Sequence, residues 1–174
     1  MKRNKVVYRK MAVTVLTAIF LFALYCIIFG FSAQDGEQSS GLSEKVTIVI
    51  VETASDIYFD FSQDMVAYLC KALEPVVRKT AHFSEYLLLG AGWYLLFSQW
   101  IKNRGLFALI CVVISAALDE FHQTLVPGRD GNIIDVGIDS AGGLTGILIL
   151  ALLLRLAVKL LEKRKKGDNG DRSI

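Results

Sequence analysis

Apolar residues along the chain are gathered into four long blocks that are separated by polar stretches. The hydrocarbon core of a bilayer is about 30 Å thick and needs roughly 20 helical residues to cross it. Blocks of this length exceed the strands of a globular core, and they predict transmembrane helices at about residues 11–31, 81–101, 105–123 and 133–154. The predicted fold is therefore all-α, a four-transmembrane-helix bundle.

The first block has two interpretations. Basic residues precede an apolar run, which is also the pattern of a secretory signal peptide. The apolar region of a signal peptide is about 7–15 residues long, however, and this block is longer. Phe31-Ser32-Ala33 is also a poor small-x-small cleavage site. We therefore expect a retained membrane anchor.

Residues 32–77 form the one sizeable polar region, and we predict a short helical extracytoplasmic segment there. Residues 42–51 fit either a helix or a strand, because the end of this stretch is β-branched. Ser62 is a candidate N-cap for a helix with apolar residues at helical spacing. This apolar stripe consists of Val66, Leu69, Cys70, Leu73, Val76 and Val77. We expect one domain over residues 1–166 and a disordered tail over residues 167–174.

Charge is distributed unevenly, although the net charge of the 174 residues is only +2. Residues 1–10, 102–104 and 155–166 are rich in lysine and arginine, whereas residues 32–77 are rich in acids. Cytoplasmic loops of membrane proteins carry the excess of basic residues. Four crossings place all three basic segments on one side. We therefore predict a multi-pass protein of the cell membrane with both termini in the cytoplasm.

Composition narrows the classes of partner. The basic ends flank hydrophobic spans, so they indicate a membrane and we expect no nucleic-acid partner. Cys26, Cys70 and Cys111 contain no CxxC pair, which supports neither a zinc knuckle nor a redox motif. We expect them to be small packing residues. The lipid bilayer is thus the one partner that the composition indicates, and the oligomeric state stays open.

The third block predicts ionisable residues at membrane depth. Residues 105–118 cover only about 21 Å at 1.5 Å per residue, which is less than the hydrocarbon core. The helix must therefore carry residues 119–123 into the outer leaflet. His82 and Glu85 lie in the first outer turns of the second helix, and Asp139 lies one turn inside the fourth. Ionisable groups at such depth usually face partners or a water-filled cavity.

Helical spacing gathers these residues into a candidate site at the outer end of the bundle. Arg78, His82 and Glu85 recur at i, i+4 and i+7, which is one face of a helix. Imidazole and carboxylate groups can act as acid, base or metal ligand. The candidate catalytic residues are His82, Glu85, Asp119, Glu120 and His122. The candidate ligand-binding residues are Arg78, Lys79, Gln123, Arg129, Asp135 and Asp139.

Two local motifs have alternative interpretations. Arg129 follows a predicted Pro-Gly turn and could pair with a carboxylate, or it could bind an anionic head group through its planar guanidinium. The carboxylates within reach are Asp119, Glu120 and Asp135. Gly142 and Gly146 form a GxxxG pair, which favours close helix packing.

Cofactor chemistry lacks a motif. The sequence contains neither HExxH nor a GxSxG elbow. We therefore expect no evident cofactor and leave a divalent metal open.

The polar clusters together resemble the VanZ-like family of bacterial membrane proteins. The resemblance covers most of the chain in order and spacing. Its motifs are Phe31-Ser32-x-Gln34, Arg78-Lys79-x-x-His82-Phe83-x-Glu85-Tyr86, Asp119-Glu120-x-His122-Gln123, Pro127-Gly128-Arg129, Asp135-Val136, Asp139 and Gly142. The resemblance implies a role at the bacterial cell envelope. The family's name-giving member is associated with teicoplanin resistance, a form of antibiotic resistance.

Three functions follow as hypotheses. The first is an envelope protein, without settled chemistry, that lowers susceptibility to teicoplanin-type (lipo)glycopeptides through an outward-facing polar site. The second is a membrane-embedded enzyme, a hydrolase or transferase acting on an outer-leaflet lipid-linked cell-wall precursor. The third is structural: the polar residues would form a satisfied network that locks the second, third and fourth helices together.

Overall fold

The fold consists of α-helices joined by short connections. A computed structural model describes the backbone of residues 2–170 and the side chains of residues 4–164. Five α-helices follow one another: α1 (Lys2–Ser32), α2 (Gly36–Ala54), α3 (Gln63–Ser98), α4 (Arg104–Gln123) and α5 (Ile133–Gly170). The described residues contain no strand, which confirms the all-α prediction and makes residues 42–51 helical. Helix α5 extends into the predicted disordered tail, of which residues 171–174 lie outside the described residues.

Side chains and one unusual backbone conformation define the α2–α3 hairpin. Asp35 caps α2 by accepting a hydrogen bond from the Gln38 N–H at 2.8 Å. Ser62 caps α3 by accepting from the Met65 N–H at 3.3 Å, as predicted. A π-helical turn, Ser55–Phe59, follows α2, and Asp60 then takes a left-handed backbone with φ 46°. These features reverse the chain between the two helices.

Three helices are long and apolar enough to cross a membrane, which makes the chain a membrane protein. They correspond to Asn4–Ser32, Arg104–Gln123 and Ile133–Arg164. Helix α3, which contains the predicted second span, is not one of them. His82 and Glu85 lower the hydropathy of its apolar half, yet the side chains of both residues are less than one-fifth exposed.

The predicted extracytoplasmic helix and the predicted second span are one helix. The sequence predicts two separate helices in this region, but α3 runs unbroken for 36 residues with Pro75 inside it. At about 1.5 Å per residue it is roughly 54 Å long, far more than a bilayer core requires. It also ends at Ser98, three residues before the predicted end of the span at Ile101.

The apolar half of α3 lies at the centre of the bundle. Its buried side chains Tyr86 and Leu89 pack with residues of α1 and α4 in the main hydrophobic cluster. The full set of buried residues in this cluster is Leu21, Leu24, Ile28, Tyr86, Leu89, Val112 and Ala116. Tyr25 adds a polar link by accepting a hydrogen bond from Trp93 at 3.2 Å and sharing one with Ser115. Helices α1, α3 and α4 therefore pack side by side at this height of the bundle.

Small residues bring α5 against α3. A Cβ atom added at Gly142 would collide with the main chain of Phe83, and one added at Gly146 would collide with the main chain of Leu87. Backbones approach this closely only where side chains are absent. The packing interpretation of the GxxxG pair is thus confirmed, and the contact fixes the start of α5 beside the middle of α3.

The three cysteines are not bonded to one another. Cys70 and Cys111 are partly buried, in keeping with packing residues. Cys26 is exposed on the surface of α1, so the packing prediction is wrong for this residue.

Candidate functional site

A polar cavity lies at one end of the bundle, between α3, α4, α5 and the loop of residues 124–132. Its volume is about 340 Å³. The lining residues are Pro75, Arg78, Lys79, His82, Glu120, Gln123, Gly128, Arg129, Asp130, Asp135, Ile138 and Asp139. The structure thus brings most of the predicted site residues to one place.

Helix α3 supplies two cations to the cavity, and both have acidic partners. Arg78 Nη2 lies 2.7 Å from Oε1 of Glu74, which is one turn earlier on the same helix. Lys79 Nζ lies 2.6 Å from Asp135 Oδ1 and joins α3 to the first turn of α5. The two side chains of the second pair are 45% and 35% exposed. Solvent screens such a pair, so it contributes orientation more than stability.

Helix α4 supplies two buried carboxyl groups that point to different partners. Asp119 is fully buried, and its Oδ2 accepts a hydrogen bond from Gln123 Nε2 at 3.1 Å. Glu120 accepts from the main-chain N–H of Asn132 through Oε1. Glu120 therefore fastens the loop just before α5 begins.

Arg129 binds the end of α1 through main-chain atoms. Its Nη1 donates to the carbonyl oxygens of Phe31 at 3.3 Å and Ser32 at 3.0 Å. A cation at a helix C-terminus is favourable because the last carbonyls are unpaired and carry partial negative charge. Among the described side chains Arg129 forms no ion pair. The alternative in which it pairs with Asp119, Glu120 or Asp135 is therefore wrong.

The loop that carries Arg129 is held against α2. Gly128 has φ +74°, a conformation that side chains disfavour. The N–H of Gly36 donates to the carbonyl of Pro127 at 3.2 Å. A Cβ at Gly36 would collide with the main chain of Gly128, so the two backbones are in direct contact. The loop is thereby fixed between the ends of α1 and α2.

Three ligating side chains meet beside the cavity, and two of them, His82 and Asp139, line it. His82 of α3, Asp119 of α4 and Asp139 of α5 each offer one ligand atom, and these atoms lie within 4.8 Å of one another. We call these three residues the buried cluster. Asp119 is 0% exposed and Asp139 is 2% exposed. Chemically, the arrangement could hold a cation or relay a proton.

Three predicted catalytic residues, Glu85, Asp119 and His122, are not among the residues that line the cavity. His122 packs edge-on against the ring of Phe29 of α1, with centroids 6.1 Å apart. Glu85 lies behind the buried cluster, with its Oε2 3.9 Å from His82 Nδ1. The cavity therefore contains one histidine, His82, and not the predicted pair.

Some contacts around the cavity involve residues that the sequence did not predict as part of the site. Glu74 was readable from the sequence, because it precedes Arg78 by four residues on a helix. The N–H of Asn132 and the carbonyls of Phe31 and Ser32 are main-chain groups. Main-chain groups carry no sequence signature, so these contacts needed the structure.

A larger groove lies apart from the predicted residues. It measures about 840 Å³ and separates α2 from the first half of α3. Acidic side chains outnumber basic ones along it, with Glu44, Glu52, Asp56 and Glu74 opposite Lys71. None of the predicted site residues lines this groove.

Comparison with known protein families assigns this chain to a family. The family model VanZ/LLP1 matches residues 17–155, which include every residue of the polar cavity. The chain belongs to the VanZ/LLP1 family. No curated protein and no solved structure matches it significantly. The resemblance expected from the polar motifs is confirmed, and the VanZ/LLP1 domain contains both the cavity and the buried cluster.

Proposed function

We propose that this VanZ/LLP1 protein crosses the membrane four times, with both ends in the cytoplasm and the polar cavity on the outer face. The apolar half of α3 supports the fourth crossing, because it packs level with α1 and α4. The hydropathy of α3 is reduced by His82 and Glu85, which turn towards other helices and need not meet lipid. The basic segments 1–10, 102–104 and 155–166 support the orientation.

We further propose that the cavity binds the polar head group of an outer-leaflet, lipid-linked envelope molecule. The observation that carries this proposal is the cavity itself, where three cations and several carboxylates converge. Ammonium and guanidinium groups suit phosphate, and the carboxylates suit hydroxyl and amide donors. A lipid-linked cell-wall precursor offers all of these groups on a membrane anchor.

The physiological consequence proposed is lower susceptibility to teicoplanin-type (lipo)glycopeptides. Family membership supports this, since the name-giving member of the VanZ family is associated with teicoplanin resistance. The proposed link is the outer face of the membrane, where such an antibiotic and a lipid-linked precursor would meet. A protein that occupies or alters the precursor there would reduce the antibiotic's effect without touching the drug.

A second candidate function is catalysis on the same precursor, as a hydrolase or transferase. The buried cluster favours it, because it brings one imidazole and two carboxyl groups together, and His82 and Asp139 of this cluster line the cavity. In this alternative His82 would act as acid or base, and the cations of the cavity would hold the head group. Chemical change in a lipid-linked precursor, measured by mass spectrometry, distinguishes catalysis from binding alone.

The experiment is a susceptibility assay in a bacterium that expresses the wild type or single variants. His82→Ala, Glu120→Ala and Arg129→Ala change the cavity. Lys45→Ala is the matched control, because it removes an exposed cation of α2 outside the cavity. Membrane levels of each variant are equalised by blot.

We expect the wild type and Lys45→Ala to lower teicoplanin susceptibility and the cavity variants to lose this effect. If deletion and overexpression of the wild type both leave susceptibility unchanged, the glycopeptide part of the proposal is wrong. If the cavity variants protect as well as the wild type does, the cavity is not the functional site.

A further inference from the structure

The buried cluster has an excess of unpaired polar atoms. Asp119 Oδ1, Asp139 Oδ1 and His82 Nδ1 are all buried and have no hydrogen-bond partner. Nearly all buried polar atoms in proteins are paired, and an exception calls for an explanation such as an ion. Three exceptions within one group of touching helices point to a common cause.

The charges of the two buried acids also indicate a missing positive partner. Two carboxylates within a few ångströms of each other repel, and burial removes the water that would screen them. Among the described side chains neither Asp119 nor Asp139 forms an ion pair with lysine or arginine. The negative charge of these two acids is thus not neutralised by a direct ion pair with lysine or arginine among the described side chains.

The neighbouring cations are bound elsewhere. Arg78 pairs with Glu74 through Nη2, while its buried Nε has no partner. Lys79 pairs with Asp135, and Arg129 donates to the carbonyls that end α1. Glu120 and Asp130 add further negative charge to the cavity lining. The charges of Asp119 and Asp139 are therefore not compensated by a paired basic side chain among the described residues.

We propose that His82, Asp119 and Asp139 bind one divalent cation of the zinc or manganese class. One imidazole nitrogen and two carboxylate oxygens suit these borderline cations, whereas calcium and magnesium prefer oxygen ligands alone. Three protein ligands leave at least one coordination position for water or for a group of a bound molecule. Because His82 and Asp139 both line the cavity, water or a group of a bound molecule would reach the metal from there.

Neighbouring contacts hold the ligands in place. Gln123 donates to Asp119 Oδ2 and leaves Oδ1 free. Such hydrogen bonds to ligating carboxylates are typical of metal sites. The contact of Gly142 with Phe83 places Asp139, three residues before this glycine, beside His82, the neighbour of Phe83. The distance between two of the ligands thus depends on main-chain packing.

The site rests on the same cavity as the proposed function but does not depend on it. A metal there would serve either the binding of a phosphate-bearing head group or its hydrolysis. It can be measured on the isolated protein, without any susceptibility phenotype. The two proposals can therefore fail separately.

The test is metal binding by the full chain in lipid nanodiscs. Protein stripped with a chelator is dialysed against Zn²⁺ or Mn²⁺, and bound metal is counted by mass spectrometry after a desalting step. Affinity is measured by titration calorimetry, and thermal unfolding is followed with and without the metal. The variants are His82→Ala, Asp119→Asn and Asp139→Asn, and the matched control is Asp130→Asn, an exposed acid of the same cavity.

We expect about one ion per chain for the wild type and Asp130→Asn, because the three ligands form a single site. The Asp119→Asn and Asp139→Asn variants should bind at least about tenfold more weakly. Both should fold, since asparagine has the same shape and removes an unpaired charge. Their melting temperatures should then respond less to added metal than that of the wild type.

The proposal is overturned if the wild type retains neither metal after desalting, or if both asparagine variants retain as much as the wild type. In the first case, a higher melting temperature for Asp119→Asn would instead indicate that the two acids share a proton. Loss of metal binding with unchanged glycopeptide susceptibility would support the metal site and count against the proposed function.

Discussion

Arg129 Nη1 lies 3.0 Å from the carbonyl oxygen of Ser32, so the loop after α4 closes the C-terminus of α1. The same loop contacts the start of α2 through Pro127 and Gly128. One side chain of the cavity therefore helps to position the first two helices. Effects of Arg129 variants on function must be separated from effects on folding.

Arg129→Ala is expected to destabilise the protein by about 1–2 kcal/mol, because two hydrogen bonds from a charged donor are lost at a partly solvated site. Arg129→Lys should keep the charge and recover part of this loss. The measurement is the apparent melting temperature in detergent, with Lys45→Ala as the control. A melting temperature for Arg129→Ala equal to that of the wild type would show that the contact does not stabilise α1.

Gly146→Ala is expected to cost about 1–3 kcal/mol, since the added methyl group must push α3 and α5 apart. Gly137→Ala is a matched control in the same helix, because nothing lies within 4 Å of the added atom. There alanine should be neutral or slightly stabilising. Thermal unfolding of both variants checks this, and equal behaviour of the two would argue against the close crossing.

Lys79 and Asp135 are expected to couple weakly. Their pair is more than one-third exposed, so a double-mutant cycle with alanine should give about 0.2–1 kcal/mol. The coupling should decrease between low and high salt. A coupling near zero at low salt would mean that the 2.6 Å contact does not persist in solution.

Four crossings make a specific prediction for labelling of intact cells. In a chain whose native cysteines are replaced, Lys45→Cys should react with a membrane-impermeant maleimide, whereas Lys102→Cys and Lys163→Cys should react only after lysis. All three positions are exposed in the structure. If α3 does not cross, Lys45 and Lys102 lie on the same side, and both cysteines react alike.

The sequence predicted some parts of this site because their physical causes are local. The Ser62 cap and the close packing of the glycine pair follow from spacing along one helix, and Asp119 is buried as an ionisable residue in an apolar helix is expected to be. His122 shows where this reasoning stops. It lies about 60° from Asp119 around the helix axis in one direction, whereas Gln123 lies about 40° in the other. Only the packed bundle decides that the cavity takes the Gln123 side and α1 takes the His122 side.

The length of α3 was unpredictable for a related reason. A hydropathy average places His82 and Glu85 at the start of a transmembrane span, because it includes polar residues whichever way their side chains face. In the structure both side chains turn into the bundle, and the helix continues through them. Polar residues that turn into a helix bundle therefore weaken the hydropathy signal by which membrane helices are found.

The unbroken course of α3 has a mechanical consequence. The hairpin tip at Ser62 and the ring of His82 belong to one helix, in which Pro75 is the interior proline. Proline removes a main-chain hydrogen bond and lets a helix bend at that point. A bend at Pro75 would let the α2–α3 hairpin move while His82 stays beside Asp139 on α5.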